Sequence, residues 1–253
     1  MNEKELKKIE KIRDYILRTG YPTEIEIGNM LRKDGWLVGN QWPYRDKETK
    51  KIRTVDVLAM KMRLQPPKLG VSLLIECKKS RKHEWVFHTQ EKEREFLPAM
   101  VTFADFVEKL VPLFGEELMN LSPIDIMATK LSGFHLLDKN IKIGVLNVIP
   151  SSKTKDDFYD ATGQIISSLE GLSEGMKSFI VFPTIVFNGE LYEFYQENDQ
   201  TTVNPIDHIQ FLSFKRDMTA FLIDVVRKTY FSEYLRMMNR DFYILTELLK
   251  GKK

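Results

Sequence analysis

The chain has a single cysteine, Cys77, in 253 residues. No intrachain disulfide can form, and cysteine-rich zinc sites are excluded. No apolar run approaches the roughly 20 residues that a membrane-spanning helix needs. The N-terminus, Met1-Asn2-Glu3-Lys4-Glu5-Leu6-Lys7-Lys8, does not read as a signal peptide. A cytoplasmic location without a membrane partner is therefore expected. Low-complexity tracts and internal repeats are also missing. So is a strong excess of one charge, because the formal net charge is +2 and the sequence pI is near 8.4. That balance excludes a general polyanion binder of the histone kind and makes any nucleic-acid surface local. What is present is ordinary globular composition, 43% hydrophobic and 29% charged, in a chain long enough for one sizeable core. A single domain over residues 1–253 is expected.

Periodicity supplies the elements. Leu6, Ile9, Ile12, Ile16 and Leu17 share one helical face, predicting an accessory helix over residues 3–18. A second helix follows, with Thr23 as its cap, Pro22 before it and Gly35 at its end. Strands are predicted over 36–43, 52–60 and 71–77, with the charged run from Arg45 to Lys51 as a hairpin turn. Residues 84–137 read as largely helical, most clearly around Phe103, Phe106, Val107 and Leu110. A strand over 141–149, closed by Pro150, leads into an amphipathic helix over 156–169, a pattern that fits a βα crossover. Asn188-Gly189 predicts a hairpin between strands 179–187 and 190–195. Strands over 209–214 and 221–226 and a helix over 230–249 complete a mixed sheet covered by helices.

The run Leu73-Leu74-Ile75-Glu76-Cys77-Lys78 brings two opposite charges to the end of an apolar strand, about twenty residues after the lone acid of Thr54-Val55-Asp56-Val57-Leu58. In a strand Glu76 and Lys78 share one face and Ile75 and Cys77 the other. Burying such charges costs several kcal/mol unless something compensates them, and a divalent cation with a phosphate substrate does so. The same acid-x-Lys spacing recurs at Glu5-Leu6-Lys7 and Glu48-Thr49-Lys50, but in polar surroundings where solvent suffices. The plainer alternative for Asp56 and Glu76 is a structural salt bridge, to Lys78 or to Arg53. For Lys78 it is a surface lysine with a buried stem. Glu24 shares a helical face with Ile27, Gly28 and Leu31, so it points toward the sheet, although acids also favour helix starts for dipole reasons. Asp224, in Leu222-Ile223-Asp224-Val225-Val226, echoes Asp56 but has no second acid nearby and reads as a paired structural acid.

Asp56 within one strand, Glu76-Cys77-Lys78 at the end of the next, and Glu24 on a preceding helix resemble the PD-(D/E)XK nuclease superfamily. The motif layout is most similar to the Mrr-like and archaeal Holliday-junction-resolvase branches, and the resemblance covers roughly residues 21–90. No Pro precedes Asp56 and no Gln-x-x-x-Tyr element follows the core, a departure from the RecB-like branch.

The resemblance implies a restriction-endonuclease-like core in a three-layer α/β/α sandwich with a central mixed sheet. Residues 95–253 would then supply the remaining strands and helices, including a C-terminal hairpin and helix. It implies Mg²⁺, or Mn²⁺ in its place, held by Asp56, Glu76, the Cys77 backbone carbonyl and Glu24. Lys78 would be the catalytic lysine and DNA the substrate. The basic cluster after the site makes Lys79, Arg81 and Lys82 candidate phosphate contacts, with a solvated loop as the competing reading. Hydrolysis of DNA phosphodiester bonds is the expected activity, and a homodimer is compatible with it. The alternative is a noncatalytic module of the same fold that binds nucleic acid or a protein partner.

Overall fold

The computed structural model describes residues 2–65, 68–79, 84–90, 134–138, 140–147, 157–197, 199–215, 220–248 and 250. The chain opens with α1 (Glu3–Arg18) and α2 (Tyr21–Lys33), followed by the strands β1 (Leu37–Arg45), β2 (Ile52–Arg63), β3 (Leu69–Lys79), β4 (Trp85–Gln90) and β5 (Ile143–Asn147). Next come α3 (Asp157–Leu172), β6 (Phe179–Asn188), β7 (Leu191–Glu197), β8 (Gln200–Ile206), β9 (His208–Phe214), β10 (Ala220–Arg227) and α4 (Phe231–Leu248). All these strands join one mixed sheet in the order β1-β2-β3-β6-β10-β9-β5-β4-β7-β8.

Local chemistry explains the helix ends. Asn2 and Glu5 form a reciprocal capping box at the start of α1. The apolar stripe of α1 remains about half exposed, as Ile9 and Ile12 at 50% illustrate. In α2 the cap is Gly20 and not the expected Thr23. Pro22 sits in the first turn, where its missing N–H costs nothing, so the helix starts three residues, nearly one turn, earlier. The Thr23 hydroxyl instead accepts from Asn188 Nδ2 at 3.3 Å. Gly35 ends the helix at φ +81°, a conformation costly for any side chain.

The meander β1-β2-β3 is antiparallel, and β3 then pairs in parallel with β6 from Gly70 opposite Phe179 to Lys79 opposite Asn188. The parallel neighbours are joined over the sheet through α3, which packs on both. Alternate residues feed separate cores. Leu73, Ile75 and Cys77 meet Ile27 and Leu31 of α2 and Tyr234 and Met238 of α4, whereas Leu74 meets Phe158, Ala161 and Ile165 of α3.

Two expectations are corrected. Asn188-Gly189 does not form a hairpin, because β6 is flanked by β3 and β10, both parallel to it, while β7 pairs with β4 and β8. Phe179 to Phe187 are all buried, and burial on both faces suits a central strand with no free edge to fold back on. Residues 85–90, expected to be helical, form β4. Trp85, Phe87 and Thr89 alternate inward there, a period of two set among bulky side chains. The Phe103 to Leu110 periodicity and Pro150 lie outside the described residues.

The β1–β2 hairpin tip is held against α3. Asp46 accepts from the Glu48 and Thr49 N–H groups at 3.0 and 2.7 Å, from Arg53 Nε at 2.9 Å and from the Ser167 hydroxyl of α3 at 2.9 Å. The closest approach is at Gly171, where a Cβ would lie 2.6 Å from Tyr44 Cδ2 and 2.8 Å from the Arg45 carbonyl oxygen. Gly171→Ala is expected to destabilise the protein by about 1–3 kcal/mol through overpacking. Urea unfolding checks this, and an unchanged midpoint would mean that the hairpin does not rest on α3.

Candidate active site

The candidate site forms where β2 parts from β3. Their ladder runs only from Arg63 opposite Leu69 to Val57 opposite Ile75. Beyond it Ile52–Val55 pair with β1 alone, while Glu76–Lys79 continue against β6. Asp56 and Glu76 are the first residues past the split. The Asp56 side chain closes it, since Oδ2 accepts the Cys77 N–H at 2.8 Å in place of a backbone partner. Side-chain alternation also changes here. Val57 and Ala59 belong to the α2/α4 core and Val55 to the α3 core.

Glu76 and Lys78 share the α3 side of β3. Lys78 Nζ donates to Glu76 Oε1 at 2.7 Å and to Gln164 Oε1 of α3 at 2.7 Å. Glu24 enters from the first turn of α2 and is buried, as its helical face predicted. Its link to Asp56 is Gln41 of β1, whose Nε2 donates to Glu24 Oε2 at 2.6 Å and to Asp56 Oδ1 at 3.3 Å. The Thr54 hydroxyl donates to Gln41 Oε1 at 2.9 Å, fixing which end of the amide faces the acids. Gln41 has φ +49°, one of three non-glycine residues in the left-handed region among those described.

Burial and mutual repulsion dominate the electrostatics. The Glu76 carboxyl is pushed up to about 7 by burial and by Asp56, with Glu24 adding to this and Lys78 opposing it. Glu24 is raised by burial and then by Asp56. Asp56 is raised by burial, against the lowering effect of the Cys77 N–H, Lys78 and Gln41. Three acids thus share one lysine, an arrangement short of positive charge. Among the described residues no group of three or more His, Cys, Asp and Glu side chains is arranged to hold a metal ion. The donors nearest to that role are two hard carboxylates, Asp56 and Glu76, a set that suits Mg²⁺, which commonly takes one or two carboxylates. Glu24 is joined to them through an amide.

Cys77 contributes backbone only. Its thiol is buried in the α2/α4 core, and burial followed by the surrounding carboxylates raises its pKa well above the usual value. Lys79 donates to the Leu17 carbonyl at 3.0 Å, tying the end of α1 to the end of β3. Arg81, Lys82 and His83 lie outside the described residues. Arg53, the alternative partner for Asp56, pairs with Asp46. His88 packs beside Phe194, with ring centroids 5.1 Å apart. Tyr44 is buried, whereas Trp42 is 42% exposed at the edge. A groove of about 870 Å³ runs alongside, between the β1–β2 turn and α3, and includes Gln164. Of its three cations, Arg53 pairs with Asp46 and Lys215 with Glu170 at 2.6 Å, and Lys47 donates to the Ser173 hydroxyl at 3.3 Å.

Asp224 is a paired acid, as its sequence context predicted. It accepts from His208 Nε2 at 2.8 Å, Tyr234 OH at 3.0 Å, Gln210 Nε2 at 3.2 Å and His135 Nε2 at 3.2 Å. Burial opposes protonation of His135, but Asp241 and Asp224 outweigh it and hold the imidazole near a pKa of about 9.

Gln41 and Gln164 are the site residues that sequence reasoning missed. Gln41 was within reach, because a hairpin turning between Arg45 and Ile52 places it opposite Asp56. Gln164 carries no local signal, since a helix position more than eighty residues away meets Lys78 only through the fold. No protein-family model, curated protein or solved structure matches the chain.

The raised Glu76 pKa has a definite sign. The folded protein holds this proton more tightly than the unfolded chain between about 4.5 and about 7, so stability falls as pH rises through that window. The loss is on the order of 3 kcal/mol. Glu76→Gln is expected to melt higher than wild type at pH 8 and to lose that advantage toward pH 4.5. Calorimetry at several pH values checks it, and a variant no more stable at pH 8 would contradict the assigned strain.

Proposed function

We propose that the protein is a divalent-metal-dependent nuclease that hydrolyses DNA phosphodiester bonds. The observation that carries this reading is the arrangement at the β2–β3 split, where Asp56 and Glu76 are the first residues past the last paired position, Asp56 accepts the Cys77 N–H, and Lys78 donates to Glu76. The order of elements supports it. Helix α2 and the meander β1-β2-β3 come first and, after β4 and β5, helix α3 and a strand parallel to β3 follow, an order compatible with a restriction-endonuclease-like core. On this reading the helices packed on the two faces of the sheet make a three-layer α/β/α arrangement. The strands from β7 to β10 and α4 elaborate the core.

Asp56 and Glu76 would hold the cation, with the Cys77 carbonyl as a third oxygen donor. Bound there, a divalent cation supplies positive charge against a phosphate approaching its transition state. The remaining roles belong to the chain. Glu76 holds the Lys78 ammonium from one side and Gln164 from the other, leaving one N–H of Nζ to orient the attacking water or meet the phosphate. Glu24 keeps its charge in reserve behind Gln41. Binding without cleavage is the second reading. It draws on the engagement of Lys78 by two acceptors and of Glu24 and Asp56 by Gln41, contacts that a purely structural cluster would also make.

Labelled linear, nicked, single-stranded and four-way-junction DNA, each with Mg²⁺, Mn²⁺ or chelator, separates the two. Cleavage is expected only with metal, and Glu76→Ala or Lys78→Ala should reduce it by about 10²-fold or more while salt-sensitive binding persists. Binding without cleavage on all four substrates would favour the noncatalytic module. Cleavage surviving Glu76→Ala would place the active site elsewhere.

A further inference from the structure

We propose that Gln41 guards the cation position: its side-chain amide lies between Glu24 and Asp56 as a neutral stand-in for positive charge, and a metal ion must displace it to enter. The proposal rests on the metal-dependent reading above and assigns a positioning role to a residue outside the acid and lysine set.

Several independent features converge on this residue. The amide Nε2 has two N–H groups and contacts two carboxylates, at 2.6 Å to Glu24 and 3.3 Å to Asp56. Ionised carboxylates only accept, so the pair needs a donor between them. Gln41 supplies two donors without a charge. The 2.6 Å contact is the tighter one, and the 3.3 Å contact to Asp56 is the weaker to break. The opposite end of the amide is held by the Thr54 hydroxyl at 2.9 Å. The amide is therefore aimed at the acids from behind as well as drawn to them from the front.

The backbone carries the second indication. In a regular antiparallel strand Gln41 would take an extended φ, yet it stands at +49°, where a residue without glycine's freedom is strained. The β1–β2 register continues past it unshifted, from Asn40 opposite Val57 to Trp42 opposite Val55. No extra residue accounts for the departure. The twist is local to the position facing Asp56, and it turns this side chain onto the acids. Neighbouring contacts hold the strand around it, since Asn40 Nδ2 donates to the Glu24 carbonyl at 3.2 Å and Arg32 donates to Asn40 Oδ1. When the amide leaves, Glu24 becomes available as a third carboxylate, so the residue links cation entry to recruitment of the α2 acid.

Mn²⁺ titration by calorimetry, with electron paramagnetic resonance as a second readout, tests this on wild type, Gln41→Ala and Asp56→Asn without DNA. Gln41→Ala is expected to bind Mn²⁺ several-fold more tightly than wild type and to melt lower than wild type in chelator, with the larger melting shift on adding Mn²⁺. Asp56→Asn should lose the site. Binding by Gln41→Ala alone, with wild type silent, would equally support the guard. Wild-type binding that Gln41→Ala leaves unchanged or weakens would overturn the guard and leave the metal-dependent reading standing. Absence of binding in both proteins, each folded by circular dichroism, would overturn the two together.

Discussion

The hydrogen bond from the Cys77 N–H to Asp56 Oδ2 is the contact on which the candidate site depends. Where β2 leaves β3, a backbone donor on a buried strand would lose its partner, and an unpaired buried N–H costs about 1–3 kcal/mol. Asp56 meets that need with a side chain, so its carboxylate is fixed to the same strand that presents Glu76 and Lys78. The split also frees the outer half of the β1–β2 hairpin to lean on α3, where Ser167 and Gly171 receive it. One acid thereby ends a ladder, orients itself toward its neighbours and allows Gln41 to reach across.

The two acids set in apolar strands, Asp56 and Asp224, look alike in sequence and differ in every physical respect once folded. Asp224 is fully enclosed and collects donors from two histidines, a glutamine and a tyrosine. Burial works against it, yet the His135 charge and these donors pull its pKa below the ordinary carboxylate value. Each of its donors is a neutral or cationic side chain, and His135 beside it is held protonated. Asp56 is raised, sits beside two further acids and shares a single lysine with them. A buried acid supplied with donors stabilises a fold; one that lacks them is a candidate position for a compensating ligand.

Much of this contrast was legible beforehand. Period-two alternation around Glu76 and Asp56 placed both acids on neighbouring strands, and the missing second acid near Asp224 separated it from them. The face shared by Glu24, Ile27 and Leu31 brought α2 onto the sheet correctly. Pairing partners were not legible in the same way. Asn188-Gly189 has the chemistry of a tight hairpin, but the edges of β6 belong to β3 and β10, and no local signal declares that. The alternation of Trp85, Phe87 and Thr89 was hidden because β4 is short and its partners β5 and β7 come from distant parts of the chain. Local rules fix period and face, whereas the choice of neighbour is settled by which surfaces remain to be buried.

The parallel pairing of β3 with β6 has a consequence for how the molecule comes into being. Glu76 is seated opposite Ile185, over a hundred residues later in the chain. During synthesis α2 and the meander β1-β2-β3 emerge early, together carrying Glu24, Asp56 and Glu76, but the β6 edge and the α3 residue that steadies Lys78 do not yet exist. Closing so long a loop is entropically costly and places this region among the slow steps of folding. The full set of contacts around Lys78 and Glu76 is thus delayed until most of the polypeptide has been made, and a truncated chain would present these residues without Gln164 or the β6 edge.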